Sequence, residues 1–330
     1  MESAYTYSAT QARILASGLL QQADVERLVV AATQDEILGA LRESYLAPYL
    51  TDEIDSNLQI DAVLLRQQAA AFRLMAGIAP EPEVLRGYAS RYDFHNVRVM
   101  VKARVADLNH DETMNQLSPL GWYCPESIYT YAVAETLERL APEFQAGYQQ
   151  AYWHLEAREG DRAERELDAA YWNYRRRVIS EVADPWLQQL LQVEIDLYNA
   201  CNRLRSEVVD HIDFSKVYQS GGSMPVSVYS TVETTKSALH SYGGAELWDA
   251  ALEQYEQGDA IALEQAVRVY LRSIVHYASY DVLCSASLLD YLNATQTSAD
   301  IVRTIILGKQ NGQAEDYIRS QLNGLLPSLI

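Results

Sequence analysis

A polar pair inside an apolar helical stretch is the feature that most limits the fold, because the pair recurs. Asp93 and Asn96 stand in the stretch YDFHNVRVMVKARV, residues 92–105, and their three-residue spacing puts them on one helix face. The same pair returns 103 residues later as Asp196 and Asn199 in EIDLYNACNRLRSEV. A period of about 100 residues is the size of a small domain, whereas solenoid repeats run to about 20–50 residues. The recurrence therefore predicts domain-sized units.

The segments that follow the two pairs also match. GWYCPESIY begins at Gly121 and GGSMPVSVY begins at Gly221, and the two share Gly, Pro, Ser and Tyr in one register. The identical positions are Gly121 with Gly221, Pro125 with Pro225, Ser127 with Ser227, and Tyr129 with Tyr229. Four identities among nine positions, in the same order after the same motif, indicate homologous copies.

A third, degraded copy lies near the end of the chain, in TSADIVRTIILGKQNGQAEDYIRSQL. Thr297 and Asp300 take its two polar positions, and Gly312 heads the segment that corresponds to the one after Gly121. We therefore expect three homologous helical lobes around a pseudo-threefold axis. Their predicted ranges are 1–125, 126–225 and 226–330.

Composition decides the class of secondary structure. The 330 residues include only 15 Gly and 9 Pro, and 48% are hydrophobic, which is enough for substantial cores. Helical spacing of apolar residues runs over about 61–75, before Pro80 and Pro82 interrupt it. Thr33, with Glu36 three residues later, predicts a helix start. We expect an all-α protein.

The charge balance excludes several classes of partner. With 26 Lys and Arg against 45 Asp and Glu, the net charge is -19, which disfavours binding to nucleic acid or to anionic lipid. No stretch approaches the length of apolar sequence that a membrane span needs, and the first 20 residues do not resemble a secretory signal. We expect a soluble chain that is free to join a membrane-bound complex.

Two local features have structural interpretations. Cys124, Cys201 and Cys284 lie far apart without C-x-x-C spacing, which predicts buried free thiols. The alternating Glu and Arg residues of 156–178 predict a solvated helix face. The Arg triplet that closes this run, residues 175–177, is open to two interpretations, a docking patch or a solvated helix end.

Several segments together resemble a known family. ARILASGLL, YDFHNVRVMVKAR, PLGWYCPE, EIDLYNACNRLR and ADIVRTIILGKQNGQAEDYIRSQL look like the C subunit of the A/V-type ATP synthases, which is similar to the d subunit of the eukaryotic vacuolar ATPase. The resemblance covers essentially the whole chain. Each motif is short, and the order, spacing and threefold recurrence of the motifs make the resemblance specific.

The resemblance also implies partner-binding residues. The family motif is an acidic residue followed by Asn-Ile-Arg or Asn-Ile-Lys on the inner helix of each lobe. The first lobe matches it with Asn96, Val97 and Arg98, whereas the second lobe has Cys201 at the basic position. The implied partner-binding set is Asp93, Asn96, Arg98, Asp196, Asn199, Arg203, Arg205, Asp300 and Arg303.

The family implies a non-catalytic rotor component with a funnel shape. It would sit at the cytoplasmic face of the membrane, cap the proteolipid ring, receive the central-stalk subunits of D/F type, and transmit torque for proton or sodium transport. No cofactor or metal site is implied, and the chain would not be an enzyme. The alternative function is an all-helical interaction scaffold without a rotary role.

Two questions stay open at the level of sequence. Asp93 and Asn96 would either hold a lobe in shape, by capping a first helical turn and bonding a neighbouring helix, or contact a partner directly. Arg98 is the better candidate for a partner contact. His95, His110 and Asp111 suggest a metal hydrolase, but a second set of ligands is not evident.

Overall fold

The computed structural model describes residues 4–50, 60–208, 213–259 and 261–322. Every regular element within these ranges is a helix, so the prediction of an all-α protein is confirmed. The chain divides into two compact units, and each is described by itself. The first unit comprises residues 1–82 and 275–330, and the second comprises residues 83–274.

The first unit is built around one long helix from the end of the chain, α15, which packs against α1, α2, α4 and α16. A short 3₁₀ helix, Ala47–Tyr49, precedes α4. The α-helices of this unit are α1 (Thr6–Ala16), α2 (Gln22–Val30), α3 (Gln34–Arg42), α4 (Ile60–Ile78), α15 (Ala286–Gln310) and α16 (Glu315–Leu322).

The second unit contains two long helices, α5 and α10, each followed by shorter ones. Its α-helices are α5 (Pro82–Val105), α6 (His110–Met114), α7 (Pro125–Val133), α8 (Pro142–Glu156), α9 (Gly160–Ser180), α10 (Pro185–Val208), α11 (Phe214–Val217), α12 (Val232–Ser241), α13 (Ala245–Glu256) and α14 (Ala262–Ala278). Two 3₁₀ helices, Leu137–Arg139 and Val226–Tyr229, lie between them. The division between the units falls at the start of α5 and near the end of α14.

Proline and capping residues set several helix starts. Pro82, Pro125 and Pro185 each occupy the first helical position, where the missing N–H costs no hydrogen bond. The predicted start at Thr33 is also observed: its hydroxyl accepts the backbone N–H of Glu36 at the head of α3. The predicted helix over 61–75 corresponds to α4, which ends just before the Pro80 and Pro82 interruption.

Three hydrophobic clusters are found among the described residues. In the first unit, side chains between Leu20 and Leu64 pack with side chains between Ala299 and Leu322. The second unit holds two clusters, one formed between Phe94 and Val178 and the other between Leu197 and Leu271. Each cluster therefore contains side chains from one of the three long helices, α15, α5 and α10.

The prediction that the cysteines are buried is right only for Cys284. All three thiols are free, but Cys201 is half-buried and Cys124 is exposed. Cys124 is the N-cap residue of α7, directly before Pro125, and its thiol donates to Glu126 at 3.1 Å. None of the helices in the described ranges is both long enough and apolar enough to cross a membrane.

Helix α8 ends on a residue with a strained backbone. Arg158 has φ of 61°, and Glu159 N donates to His154 O around it, the pattern of a helix C-terminus that normally uses glycine. Helix α13 ends in the same way on Gly258, with φ of 99°. Gly160, two residues after Arg158, is the first residue of α9.

We expect Arg158→Gly to raise the free energy of unfolding by about 0.5–1 kcal/mol, because relief of left-handed strain exceeds the entropy that glycine adds to the unfolded chain. Urea denaturation of the purified chain measures this difference. The matched control is Gly258→Ala, which should destabilise by about 1 kcal/mol. A destabilised Arg158→Gly variant would contradict the role of Arg158 as a strained helix end.

Candidate functional site

The recurring polar pair occupies the same place in all three long helices. Helices α5 and α10 each have 24 residues and α15 has 25. In each of them the pair falls at the twelfth and fifteenth positions, which is the middle of the helix. We call α5, α10 and α15 the motif helices.

In α5 the pair holds a turn that comes more than 20 residues later in the chain. Asn96 exchanges two hydrogen bonds with the backbone of Ser118: its Nδ2 donates to the carbonyl oxygen at 2.9 Å, and its Oδ1 accepts the N–H at 2.7 Å. The Asp93 carboxylate accepts the backbone N–H groups of Trp122 and Tyr123, each at 3.1 Å. Asp93 and Asn96 are both 0% exposed. We call this arrangement the motif clamp.

Helix α10 repeats the motif clamp. Asn199 exchanges the same two hydrogen bonds with the backbone of Gln219, both at 2.8 Å. The Asp196 carboxylate accepts the N–H of Ser223 at 2.8 Å and that of Met224 at 3.2 Å. Asp196 and Asn199 are each 1% exposed. The sequence repeat is therefore a repeat of hydrogen bonds.

Asp196 receives more donors than Asp93 does. The hydroxyl of Ser223 donates to it at 2.7 Å, that of Tyr229 at 2.9 Å and that of Tyr242 at 2.8 Å. These donors come in addition to the two backbone N–H groups, so the charge in the second clamp is shared among five hydrogen-bonding groups. Charge-assisted bonds of this kind are stronger than neutral ones.

The structural interpretation of the pair expected it to cap the first turn of its own helix. The clamps do not do this. Mid-helix backbone N–H groups already bond within the helix, so a carboxylate there must find donors elsewhere. The donors are two consecutive amides of a distant turn, just before α7 and just before the 3₁₀ helix Val226–Tyr229. The residues that complete the clamp, such as Ser118 and Gln219, were missed because they differ between the copies.

A glycine makes room for each carboxylate. A Cβ at Gly121 would overlap Oδ1 of Asp93 and lie 3.1 Å from its Cγ, and a Cβ at Gly222 would overlap Oδ1 of Asp196. Gly222 is thus the counterpart of Gly121, and the sequence pairing with Gly221 is one residue out of register. The clamped turns are 101 residues apart, as Trp122 and Ser223 show, whereas Pro125 and Pro225 are 100 residues apart. The second copy therefore has one residue fewer between its turn and its proline.

The third copy has no such clamp in the described part of the chain. Thr297 is buried and its hydroxyl has no hydrogen-bond partner there, whereas Asp300 is half-buried and accepts from Arg303 at 3.2 Å. The pairing of Gly312 with Gly121 is wrong, since Gly312 has φ of 67° and ends α15 as a helix cap. In the first copy, Trp122 follows Asp93 by 29 residues. The same distance after Thr297 leads to position 326, which lies outside the described residues.

The predicted basic residue of the first copy pairs within the chain. Arg98 Nε donates to Glu164 at 2.6 Å and its Nη2 donates to Asp168 at 3.2 Å. Lys102 Nζ also lies 2.7 Å from a carboxylate oxygen of Glu164, and Tyr198 donates to Asp168 at 3.1 Å. The Glu and Arg run of α9 is therefore more than a solvated face, because two of its carboxylates bind α5.

The contacts lower the pKa of both carboxylates and burial raises it, but the net shifts have opposite signs. For Glu164, burial raises the pKa, but the Lys102 and Arg98 bonds outweigh it, so the pKa lies below its ordinary value. For Asp168, burial dominates and the pKa lies above its ordinary value despite Arg98 and Tyr198. The cluster therefore ties α5 to α9, and the lowered pKa of Glu164 favours its ionised form.

The other predicted basic residues are also engaged. Arg203 donates to the carbonyl oxygen of Tyr229 at 2.9 Å, and Arg205 pairs with Glu264 of α14. Arg303 donates to Asp61 at 2.6 Å. Lys102 with Glu164 and Arg205 with Glu264 are equivalent contacts, because each joins a motif helix to the last long helix of its cluster.

The Arg triplet of α9 is neither a free patch nor a free helix end. Arg175 pairs with Glu194 at 2.6 Å, and Arg177 pairs with Glu143 at 2.7 Å. Arg176 donates to the carbonyl oxygen of Ser220, in the turn that the second clamp holds. All three side chains therefore join helices or turns within the second unit.

The histidine cluster does not assemble into a metal site. His95 Nε2 lies 3.3 Å from the carbonyl oxygen of Gln116, and His110 bonds its neighbour Asp111. Across residues 4–50, 60–208, 213–259 and 261–322, no group of three or more His, Cys, Asp or Glu side chains is placed to hold a metal ion.

Comparison with known proteins gives a consistent result. A family model described as ATP synthase (C/AC39) subunit matches residues 9–321. The C subunit of the V-type sodium ATPase of Enterococcus hirae is 24% identical over 322 residues, covering 92% of this chain and 93% of that protein. The C subunit of the A-type ATP synthase of Methanosarcina barkeri is 21% identical over 346 residues, covering 97% and 93%. That of Haloquadratum walsbyi is 22% identical over 323 residues, covering 91% and 89%.

We expect Gly121→Ala and Gly222→Ala each to lower the free energy of unfolding by at least about 2 kcal/mol. The added methyl group would push a buried carboxylate off its two amide donors. Urea denaturation measures the loss. Gly39→Ala in α3 is the control, since its Cβ would meet nothing within 4 Å, and it should stabilise by up to about 1 kcal/mol. Wild-type stability in both clamp variants would show that the turns are not held as described.

The Asp93 clamp makes stability depend on pH. Burial raises the pKa of Asp93 from 3.8 to about 7, although the N–H groups of Tyr123 and Trp122 lower it. The unfolded chain therefore loses this proton at lower pH than the folded chain. The contribution of Asp93 to stability must fall as the pH rises from about 4 to about 7.

We expect the stability of Asp93→Asn, relative to wild type, to rise by up to about 4 kcal/mol between about pH 4 and pH 8. The amide that replaces the carboxylate costs a constant amount at every pH, so only the slope is informative. Urea titrations at several pH values measure the difference. A relative stability that falls with pH would mean that the amide donors outweigh burial.

Proposed function

The chain belongs to the ATP synthase (C/AC39) subunit family, and on this premise we propose that it is the non-catalytic C subunit of an A/V-type ATPase or ATP synthase. In this role it would link the rotating shaft of the soluble head to the proteolipid ring and transmit torque for ion transport. The observation that carries the proposal is the extent of the family match, which begins in α1 and ends in α16.

The proposed partners are the central-stalk subunits of D/F type and the proteolipid ring of the membrane part. The proposed location is the cytoplasmic face of the membrane, as a peripheral component of the complex. Relatives named as the C subunit of a V-type sodium ATPase and of A-type ATP synthases support this assignment, because they align over nearly their whole length.

Stiffness is the physical property that supports a role in torque transmission. A component that relays torque must not yield between its two attachment sites. The two described clamps tie the middle of a long helix to a distant turn through fully buried polar groups. Breaking such a bond leaves a buried group unsatisfied, so the helix and turn move together.

We also propose the three-lobed arrangement that the repeat predicts. The three hydrophobic clusters support three lobes, since each contains one motif helix. They favour boundaries just before α5 and just before α10, earlier than the predicted boundaries near residues 125 and 225. The pseudo-threefold funnel stays a proposal that follows from the family resemblance.

The partner-binding residues divide into two groups. Asp93, Asn96, Asp196 and Asn199 are buried in the clamps, which supports a structural role for them. We propose that partner contacts in the remaining set are made by the accessible side chains. Those are Arg98, Arg203, Arg205, Asp300 and Arg303, none of which is fully buried.

A pull-down from detergent-solubilised membranes tests the function. We expect the tagged chain to co-purify with the catalytic head, the stalk subunits and the proteolipid. We further expect that a cell lacking the chain retains ATP hydrolysis by the head but loses ATP-driven ion transport by at least about tenfold. Hydrolysis and transport should separate in this way because the chain would couple the two processes without catalysing either.

Two results distinguish the alternatives. Re-supplied Gly39→Ala chain should restore transport as wild type does, because Gly39 is outside the proposed partner-binding set and its added Cβ would meet nothing within 4 Å. If the assembled ATPase of the same cell lacks the chain and still pumps ions, the rotary role is wrong. The chain would then be an interaction scaffold without a rotary role.

A further inference from the structure

A row of aromatic and basic side chains runs along one face of α5. We call it the α5 stripe, and its spacing of three, four and seven residues is that of a single helix face. Three of its members are exposed and three are half-buried. The α5 stripe consists of Tyr88, Arg91, Tyr92, His95, Arg98 and Lys102.

The C-terminal end of the α5 stripe is neutralised within the chain. Arg98 and Lys102 pair with the α9 carboxylates of Glu164 and Asp168. Their positive charge is therefore already compensated within the chain.

Arg91, at the N-terminal end, is different. Its side chain is exposed, and no carboxylate of the described residues lies within ion-pair distance of it. Its guanidinium carbon lies 4.0 Å from the ring centroid of Tyr88 and 5.1 Å from that of Tyr92. Stacking on the two rings holds the guanidinium in place, and the carboxylate whose charge acts on it, from beyond ion-pair distance, is that of Glu194.

The surroundings add positive charge. Arg175 is close enough for the charge of Arg91 to affect its pKa. Burial and Arg91 lower the pKa of Arg175, but Glu194 and Tyr171 raise it by more, so it lies above its ordinary value. Glu194, whose charge acts on both arginines, is already ion-paired with Arg175 at 2.6 Å. The region around Arg91 therefore has an excess of positive charge in a chain whose net charge is -19.

We propose that Tyr88, Arg91 and Tyr92 bind an acidic segment of the central-stalk partner, with an Asp or Glu carboxylate on the guanidinium and the adjoining side chains against the tyrosine rings. This proposal rests on the proposed function. Arg and Tyr are the residues in which binding energy concentrates at interfaces. The guanidinium is already immobilised, so little side-chain entropy is lost on binding. A phosphate backbone is a poor fit, because the acidic chain repels it.

The test is a binding measurement between the purified chain and the purified stalk subunits of the same organism. At about 0.1 M NaCl we expect Arg91→Glu to weaken the Kd at least about tenfold, because it opposes a carboxylate with a carboxylate. Arg91→Lys should weaken it less, about threefold, since it keeps the charge but loses the planar fork. Wild-type affinity should fall at about 0.5 M NaCl.

Arg66→Glu is the matched control. Arg66 is an exposed arginine of α4 that bonds the carbonyl oxygen of Ala62 on its own helix, so the same charge change there should leave the Kd within about twofold. Asp→Lys and Glu→Lys substitutions across the stalk subunits should include one that restores binding to Arg91→Glu. Circular dichroism and urea denaturation check that each variant is folded.

The outcomes separate the two proposals. If wild type binds the stalk and Arg91→Glu binds within about twofold of it, Arg91 is not the contact and the proposed function stands. If restoration by charge reversal fails at every stalk position, the acidic partner is wrong. If wild type itself does not bind the stalk, the proposed function fails and this inference fails with it.

Discussion

A carboxylate buried in the middle of a long helix is the constraint on which the second unit depends. Asp93 and Asp196 lie where their own helix offers no free N–H, and a buried carboxylate without donors is costly. Each obtains its donors from two consecutive amides of a turn that lies 27 to 30 residues further along the chain. The turn can approach that closely only because Gly121 or Gly222 stands beside the carboxylate. Helix, turn and glycine therefore require one another.

The three copies answer this constraint in different ways. Asp196 has hydroxyl donors in addition to the backbone, and Asp93 has the backbone alone. Burial raises the pKa of Asp93 to about 7, and its two backbone N–H donors offset this effect only in part. In the third copy Thr297 replaces the carboxylate, which removes the need to solvate a buried charge. The described clamps of the first two copies thus share backbone donors, and the second adds hydroxyl donors to them.

Most of the arginines that bear on the site are used for internal bonds. In a chain with 45 acidic residues, a basic side chain readily finds a carboxylate, and Arg98, Arg175 and Arg205 all do so between helices. These pairs join the motif helix α5 to α9, and the motif helix α10 to α9 and α14. Arg91 is the exception among them, because tyrosine rings and not a carboxylate fix its position. An accessible cation of this kind is suited to a partner of opposite charge.

The sequence by itself determined the all-α class, the family, several helix starts and the recurrence of the polar pairs, because periodicity, capping residues and short motifs act over a few neighbouring residues. The lobe boundaries and the partner contacts remain proposals. Only the tertiary structure decided what the recurring residues bond: Asp93 serves a distant turn, Gly222 and not Gly221 matches Gly121, and Arg98 is paired within the chain. Those relations join residues up to 70 positions apart, and helical periodicity carries no information over that distance. Packing sets which donor meets which acceptor, so the pairing became visible only once the helices were folded together.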